Sequence, residues 1–429
     1  MSRAVHHIRA VDGPLSAVVE VPGSKSVANR ALVCAALADG ESRIERVAPG
    51  DDTSAMLDCL GLLGVTTSAH AGGQGDDVVV VDGCGGSLGP GPITLPTRLA
   101  GTTSRFVTAM AALGQGPYTI DGLPPLRARP MTPLHDALRT LGASVVAGEA
   151  WGHLPVTVSG PLRAGGAVSI RGDVSSQYIT ALMLIGPYLS GGLRIDLTTP
   201  LVSRSYLGIT AAVMASFGVT GVAVDESTVV VPEGRYIGTA YAVEPDASSA
   251  SYPLAAAAIA GGTVHVPGLS VRSSLQGDAR FADVLGDMGC EVVTTAAGTT
   301  VTREGPLRGI TIDMVDLSDL VPTLAVVAPF AHTPTMITGV GFIRGKESDR
   351  IGDLCAELRR CGVVAEELPD GLRIMPGMPH AAAVDTHHDH RLAMALALMG
   401  LVVDGIEVVD PGVVSKSWPG YWTMLEALS

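Results

Sequence analysis

Five segments of the chain end in the same way: Leu63-Gly64-Val65, Leu141-Gly142-Ala143, Phe217-Gly218-Val219, Met288-Gly289-Cys290 and Cys361-Gly362-Val363. Their glycines recur about every 75 residues, and each reads as a helix C-terminal stop ahead of a strand. A sixth copy would finish at the C-terminus, with Trp422 to Leu428 as its last helix. Within each copy an Ala-rich apolar helix comes earlier: Ser24 to Ala38, Thr102 to Leu113, Ser175 to Leu189, Ser248 to Ala260, Ser318 to Ala331 and His388 to Leu401. Most of these open with Ser, Thr or Asp, side chains that satisfy the free N–H groups of a first turn. Gly-containing turns and β-branched runs such as Thr263-Val264-His265-Val266 follow them. Each copy therefore reads as strand, helix, strand, helix, strand, strand. So long a period does not suit a solenoid and does suit whole supersecondary units, three to a domain. The expected fold is α/β, with six βαβαββ repeats in two similar domains and one boundary in the short loops near Ala240 to Glu244.

Length and polarity agree with that division. A chain of 429 residues with 47% hydrophobic content is too long for one ordinary core and too apolar for disorder. It has no run of about 18 apolar residues free of charge or repeated Gly and Pro, and the polar start Met1 to Arg9 leads into no apolar segment, so the expectation is a cytoplasmic protein with no membrane partner. The six cysteines form no CxxC pair and read as reduced, buried thiols. A net charge of −14 argues against nucleic acid as a partner. Any anionic ligand must then be met by a local basic pocket.

The basic residues suggest where that pocket is. Only three of the 28 Lys and Arg residues are lysines, Lys25, Lys346 and Lys416. Genomic base composition explains the bias toward Arg, but not the lysines that survive it. A Lys is retained where a compact ammonium, or an amine that can lose its proton, cannot be replaced by a planar guanidinium. Lys25, Arg30, Arg105, Arg129, Arg204, Lys346, Arg350, Arg391 and Lys416 are expected in or just before first helical turns, where exposed N–H groups and the helix dipole favour anions. Solvated surface charge is the ordinary explanation for any one of them, and it weakens as the register recurs.

Pro22-Gly23-Ser24-Lys25-Ser26-Val27-Ala28-Asn29-Arg30 looks like a phosphate loop but lacks the glycine spacing of a nucleotide motif. Taken in order with Leu99-Ala100-Gly101-Thr102, Arg129-Pro130, Asp173-Val174-Ser175-Ser176-Gln177, Asp246-Ala247-Ser248-Ser249-Ala250-Ser251, Lys346-Glu347-Ser348-Asp349-Arg350, Asp389-His390-Arg391 and Ser415-Lys416, it resembles the 3-phosphoshikimate 1-carboxyvinyltransferase family of enolpyruvyl transferases. The motifs are weak singly, but the ordered set spans nearly the whole chain. The resemblance implies two inside-out domains, residues 22–242 and residues 1–21 plus 243–429, with the active site in the cleft between them and closure around ligands. It also implies transfer of the enolpyruvyl group of phosphoenolpyruvate to the 5-hydroxyl of shikimate 3-phosphate, with release of phosphate.

That chemistry needs an acid, a base and an anion clamp. By resemblance, Lys25, Gly101, Arg129, Gln177, Arg350, Arg391 and Lys416 would hold phosphoenolpyruvate. Lys25, Ser26, Arg30, Ser175, Ser176, Gln177, Ser203, Asp319 and Lys346 would hold shikimate 3-phosphate. Asp319 would accept the hydroxyl proton, Glu347 would donate to the methylene, and Lys25 would shuttle protons. Helix capping is the plain alternative for Asp319, Ser175 and Ser176, and a surface ion pair with Arg350 is the plain alternative for Glu347. His387, His388 and His390 invite a metal reading, but adjacent imidazoles on one short stretch cannot all face one ion, and the reaction needs no metal or cofactor. Three departures from the family pattern stand out: Leu99 and Phe342, where many members have Asn, and Phe106, where many have Pro. With Gly101 intact, glyphosate is expected to compete with phosphoenolpyruvate. The rival readings are enolpyruvyl transfer to UDP-N-acetylglucosamine, whose enzymes have Lys-Asn where this chain has Lys25-Ser26, and an anion-binding relative without turnover. A monomer is the default expectation.

Overall fold

The structure is a computed structural model that describes residues 4–71 and 77–428. The chain divides into two compact units, residues 23–243 and residues 1–22 with 244–429. Each boundary lies one residue later than expected. The N–H of Val243 donates to the carbonyl of Glu45, which keeps it with the first unit, and the N–H of Asp246 donates to the carbonyl of Pro22 in the second.

In unit 23–243 three four-stranded sheets share one order. One runs Ile93–Pro96, Tyr118–Asp121, Val156–Ser159, Ser144–Ala147, the first pair parallel and the others antiparallel. The second runs Ala164–Ile170, Ser190–Leu197, Thr228–Val231, Ala223–Val224 in the same sense. In the third, the parallel edge strand beside Asp39–Val47 is Ala240–Ala242, from the far end of the unit. The expected loop at Ala240 to Glu244 is thus in part a strand, recruited because the first repeat begins directly with its helix and lacks an edge strand of its own. A parallel pair needs a crossover, and the Ala-rich helices Gly101–Ala111 and Ser176–Ile185 provide it in the first two sheets.

The other unit repeats the pattern. Two of its sheets are four-stranded; the third has Ala382–Asp385, Ile406–Val409 and, returning from the N-terminal segment, Val5–His7. Leu15–Val18 likewise supplies the parallel edge beside Gly262–Pro267. The N-terminal segment therefore completes two repeats at once.

The five marker glycines, Gly64, Gly142, Gly218, Gly289 and Gly362, all have φ between 81° and 110°. In each case the glycine N–H and the next N–H donate back to carbonyls three and five residues earlier, as from Gly64 to Gly61 and from Val65 to Leu60. This left-handed cap satisfies the last carbonyls of a helix and turns the chain into the next strand, and only glycine adopts it without strain.

The earlier helix of a repeat is buried all round where it is longest. Every residue of Lys25–Leu37 from Val27 onward is buried, and Ala247–Ala260 is buried from end to end but for Ala260. Small side chains allow neighbouring elements to close on every side of such a helix, which explains its alanine content. Three expected helices are shorter than their apolar runs. Ser175 to Leu189 is the helix Ser176–Ile185 followed by the 3-10 turn Gly186–Tyr188. Ser318 to Ala331 is a 3-10 turn, the helix Val321–Val327 and a second 3-10 turn, with Pro322 and Pro329 each near the start of its segment. The last Ala-rich helix starts at His390, because His387 and His388 have left-handed φ values of 48° and 57°. All six cysteines are free. No helix among the described residues is long and apolar enough to cross a membrane.

Candidate functional site

In unit 23–243 the Ser24 side chain caps helix Lys25–Leu37 and sets Lys25 at its first position. Lys25 Nζ lies 3.0 Å from Oδ2 of Asp52, a buried carboxylate in the first turn of helix Asp51–Leu62. Arg30 is a full turn further in than expected and buried, yet its guanidinium runs back toward the helix start and donates to the carbonyl of Ser26 at 2.7 Å. Its other contacts are neutral: Thr210 Oγ1 at 2.8 Å, Thr180 Oγ1 at 3.4 Å, the Tyr206 carbonyl at 3.3 Å, and the faces of Phe106 and Tyr206. Burial pulls its pKa down to about 10, which leaves it charged at neutral pH. Phe106, one of the departures from the family pattern, thus packs beneath this cation.

Arg105 follows the same rule, donating from the second turn of helix Gly101–Ala111 back to the Gly101 carbonyl at 3.0 Å. A side chain on Gly101 would bring its Cβ to 2.8 Å from Nη1 of Arg129 and 3.0 Å from Nη1 of Arg105. Glycine at this first helical position lets two guanidinium groups approach the helix start together, an arrangement suited to a carboxylate or phosphate. Tyr178 holds the Arg129 loop, its hydroxyl donating to the Pro130 carbonyl. Ser175 caps helix Ser176–Ile185 by accepting from the Gln177 N–H, and Gln177 Nε2 donates to Thr102 Oγ1 at 3.2 Å. Ser203 is buried with φ 55° just ahead of helix Ser205–Ser216. Arg204, expected among the site's cations, is exposed and donates to the Val224 carbonyl.

The second unit gathers Asp319, Lys346, Glu347, Arg350, Arg391 and Lys416. Arg350 is the largest fully buried side chain among the described residues. It meets three carboxylates: Asp389 at 2.7 Å, Glu347 at 2.8 Å and Asp319 at 2.9 Å. Burial alone would lower its pKa, but Asp389, Glu347 and Asp319 outweigh that and raise it. Asp319 stands in the 3-10 turn Ser318–Leu320 and also takes Arg391 Nη2 at 2.8 Å, with Lys346 Nζ at 4.0 Å. Burial pushes its carboxyl upward, but Arg391, Lys346 and Arg350 prevail and hold it far below the usual carboxylate range. Lys416 is buried in the turn Pro411–Lys416, 4.0 Å from Glu347. Lys346 Nζ stands 6.0 Å from the centre of the Phe342 ring, so this second departure also contacts a cation.

Sequence reasoning gave no role to Asp52 or Asp389, the two buried acids that fix Lys25 and Arg350. Asp389 is fully buried, caps helix His390–Ala397 by accepting from the Arg391 N–H, and takes Ser348 Oγ at 3.1 Å. Its place in the quoted Asp-His-Arg motif was the available signal; Asp52 had only the Asp-Asp pair opening a helix. The three histidines around Asp389 have separate surroundings: His387 lies against Glu357 and Asp353, His388 against Asp410, and His390 beside Asp389.

Comparison with known proteins agrees over almost the full length. The profile of the family described as EPSP synthase (3-phosphoshikimate 1-carboxyvinyltransferase) matches residues 10–425. A 3-phosphoshikimate 1-carboxyvinyltransferase of a Nostoc species is 42% identical over 417 residues, covering 97% of both chains. One from Methanoculleus marisnigri is 42% identical over 415 residues, covering 96% of this chain and 97% of that one. Among solved structures, an EPSP synthase from Acinetobacter baumannii aligns with TM-score 0.83 at 24% identity, over 99% of this chain and 98% of its own. The enolpyruvyl transferase NikO from Streptomyces tendae aligns with TM-score 0.79 at 18% identity, over 100% of this chain and 98% of its own, and these two likenesses concern the fold. The ordered motifs, the repeated sheets and the full-length relatives converge: the chain belongs to the EPSP synthase (3-phosphoshikimate 1-carboxyvinyltransferase) family.

Proposed function

We propose that this chain transfers the enolpyruvyl group of phosphoenolpyruvate to the 5-hydroxyl of shikimate 3-phosphate and releases phosphate, a step of the shikimate pathway to chorismate and the aromatic amino acids. The observation that carries the reading is the cluster in which Arg350 and Arg391 share Asp319 while Arg350 also holds Glu347. Two carboxylates and two guanidinium groups are the parts that an acid–base addition to a multiply charged substrate requires.

In this mechanism Asp319 accepts the proton of the attacking hydroxyl. Glu347 protonates the methylene of phosphoenolpyruvate, and oxygen adds to the neighbouring carbon to give a tetrahedral intermediate. Its collapse breaks the carbon–oxygen bond to phosphate while the methyl group made in the addition returns a proton to the Glu347 carboxylate, which restores the carbon–carbon double bond. Lys25, Gly101, Arg129, Gln177, Arg350, Arg391 and Lys416 hold phosphoenolpyruvate, and Lys25, Ser26, Arg30, Ser175, Ser176, Gln177, Ser203, Asp319 and Lys346 hold shikimate 3-phosphate. Lys25 also carries protons. A carboxylate pinned by three cations is a weak base, so the mechanism needs an event that loosens Asp319. Phosphoenolpyruvate supplies it: its carboxylate and phosphate share Arg350 and Arg391, and the charge that holds the Asp319 proton affinity down is divided. The proposal further expects the ligands to draw the two units together around one reaction, the protein to act as a cytoplasmic monomer, and glyphosate to compete with phosphoenolpyruvate.

The test is phosphate release from phosphoenolpyruvate with shikimate 3-phosphate or UDP-N-acetylglucosamine as acceptor, with no metal added. Release with the first alone is expected. Release with the second would make this the cell-wall type of transferase, and calorimetric binding of shikimate 3-phosphate without any release would make it a binding protein.

A further inference from the structure

The turn from Thr386 to Asp389 delivers two parts of the cation cluster, the Asp389 carboxylate that holds Arg350 and the first residues of the helix that carries Arg391. It places two consecutive non-glycine residues, His387 and His388, in the left-handed region. Side chains disfavour that conformation, so surrounding contacts must hold it. Asp385 takes the His387 N–H at 2.9 Å, and the Asp389 N–H returns to the Thr386 carbonyl at 2.8 Å. Two ring contacts add to these: His388 Nδ1 lies 3.3 Å from Asp410 Oδ2, and the His387 ring reaches a neighbouring helix.

That ring lies on one face of helix Gly352–Arg360, with Nε2 2.9 Å from Glu357 Oε1 and Nδ1 3.5 Å from Asp353 Oδ1. The two acids are four residues apart and so share a helix face. Glu357 is buried, and its other oxygen takes the Asp385 N–H at 3.0 Å and Arg360 Nε at 2.9 Å. Asp353 takes the Asp349 N–H at 3.0 Å, and the Asp349 carboxylate accepts from Arg344 and from the N–H groups of Ile351 and Gly352. The segment braced on that side is the one that carries Glu347 and Arg350.

We infer that His387 is a positioning residue that docks the Asp389–Arg391 turn onto the Asp353–Glu357 face of helix Gly352–Arg360, fixing the separation of Arg350 and Arg391 for an anionic substrate. It touches neither the substrate nor the reacting atoms, and it rests on the functional reading above. The imidazole performs this work with a donor toward Glu357, and the left-handed backbone is a consequence of the docking.

A comparison of His387→Gly with His387→Gln separates these parts. Glycine removes the ring and relieves the left-handed φ, so a residue needed only for its turn geometry would be replaced without loss. The inference expects His387→Gly to raise KM for phosphoenolpyruvate about 10-fold, with a much smaller change for shikimate 3-phosphate, and the amide N–H of His387→Gln to recover most of it. A wild-type KM in His387→Gly, or a His387→Gln as weak as the glycine variant, overturns it. Should the wild type release no phosphate, the functional reading fails by itself. Titration of wild type and His387→Gly with inorganic phosphate still decides the inference: weaker binding by the variant supports it, and equal binding overturns it.

Discussion

The two units hold their buried arginines in opposite ways. In unit 23–243 the buried Arg30 is surrounded by hydroxyls, carbonyls and ring faces, whereas in the other unit Arg350 is encircled by three carboxylates. A buried guanidinium with only neutral partners keeps its charge available to an arriving anion. A guanidinium paired with acids has lent its charge to groups that can move protons. The difference points to a division of labour in which the first cluster is a reserve of positive charge for the phosphorylated acceptor and the second is acid–base machinery biased by its own cations.

The largest effect that could break this division belongs to Asp319. Asp319→Asn keeps the shape and removes the base, so kcat for phosphate release should fall about 1,000-fold. A loss below about 10-fold would move the proton acceptor elsewhere.

The next contrast is in stability. Arg350→Met should destabilise the fold by about 3–5 kcal/mol in urea denaturation, because it strands buried carboxylates. Arg30→Met should leave stability unchanged or raise it, since only neutral groups lose a partner. Equal losses would erase the distinction between the clusters.

A third effect concerns Asp278, buried near the acid–base cluster with Ser248 Oγ donating to it. Burial, helped by the negative charge of Asp319, pushes its carboxyl up from 3.8 to about 7. The folded protein therefore holds this proton more tightly than the unfolded chain, and stability falls as pH rises from about 4 to 7. Asp278→Asn should remove that fall and stabilise the protein at pH 8 by on the order of 3 kcal/mol relative to its effect at pH 4. Asp319 has the opposite sign. Its lowered pKa contributes stability that is fully present above the ordinary value of 3.8 and is lost as pH falls further.

The smallest effect sharpens the picture at Gly101. The atoms that an added Cβ meets are the ends of Arg129 and Arg105, which can swing aside. Gly101→Ala should leave the denaturation midpoint nearly unchanged while raising KM for phosphoenolpyruvate about 10-fold and weakening glyphosate inhibition.

What could be read from the sequence follows from how local each signal is. The five marker glycines are fixed by their own φ, so their spacing gave the repeat and the helix stops. The N-cap residues Ser24 and Ser175 bond within two or three residues and were equally legible, whereas the cap Asp389 fell inside the helix expected from His388. Proline positions inside the run from Ser318 to Ala331 were visible, but their division of the helix depends on packing. The acids that fix the cations were hidden because they act across the chain: Asp52 reaches Lys25 over 27 residues, and Asp389 reaches Arg350 over 39. Arg30 and Arg105 look one turn too late for a first-turn site until their side chains are seen to run back toward it.

The division of labour is tested most directly by calorimetric titration of shikimate 3-phosphate into wild type, Arg30→Met and Arg350→Met without phosphoenolpyruvate. The account predicts about 100-fold weaker binding for Arg30→Met and near-normal binding for Arg350→Met. Normal binding by Arg30→Met together with its loss in Arg350→Met would contradict it.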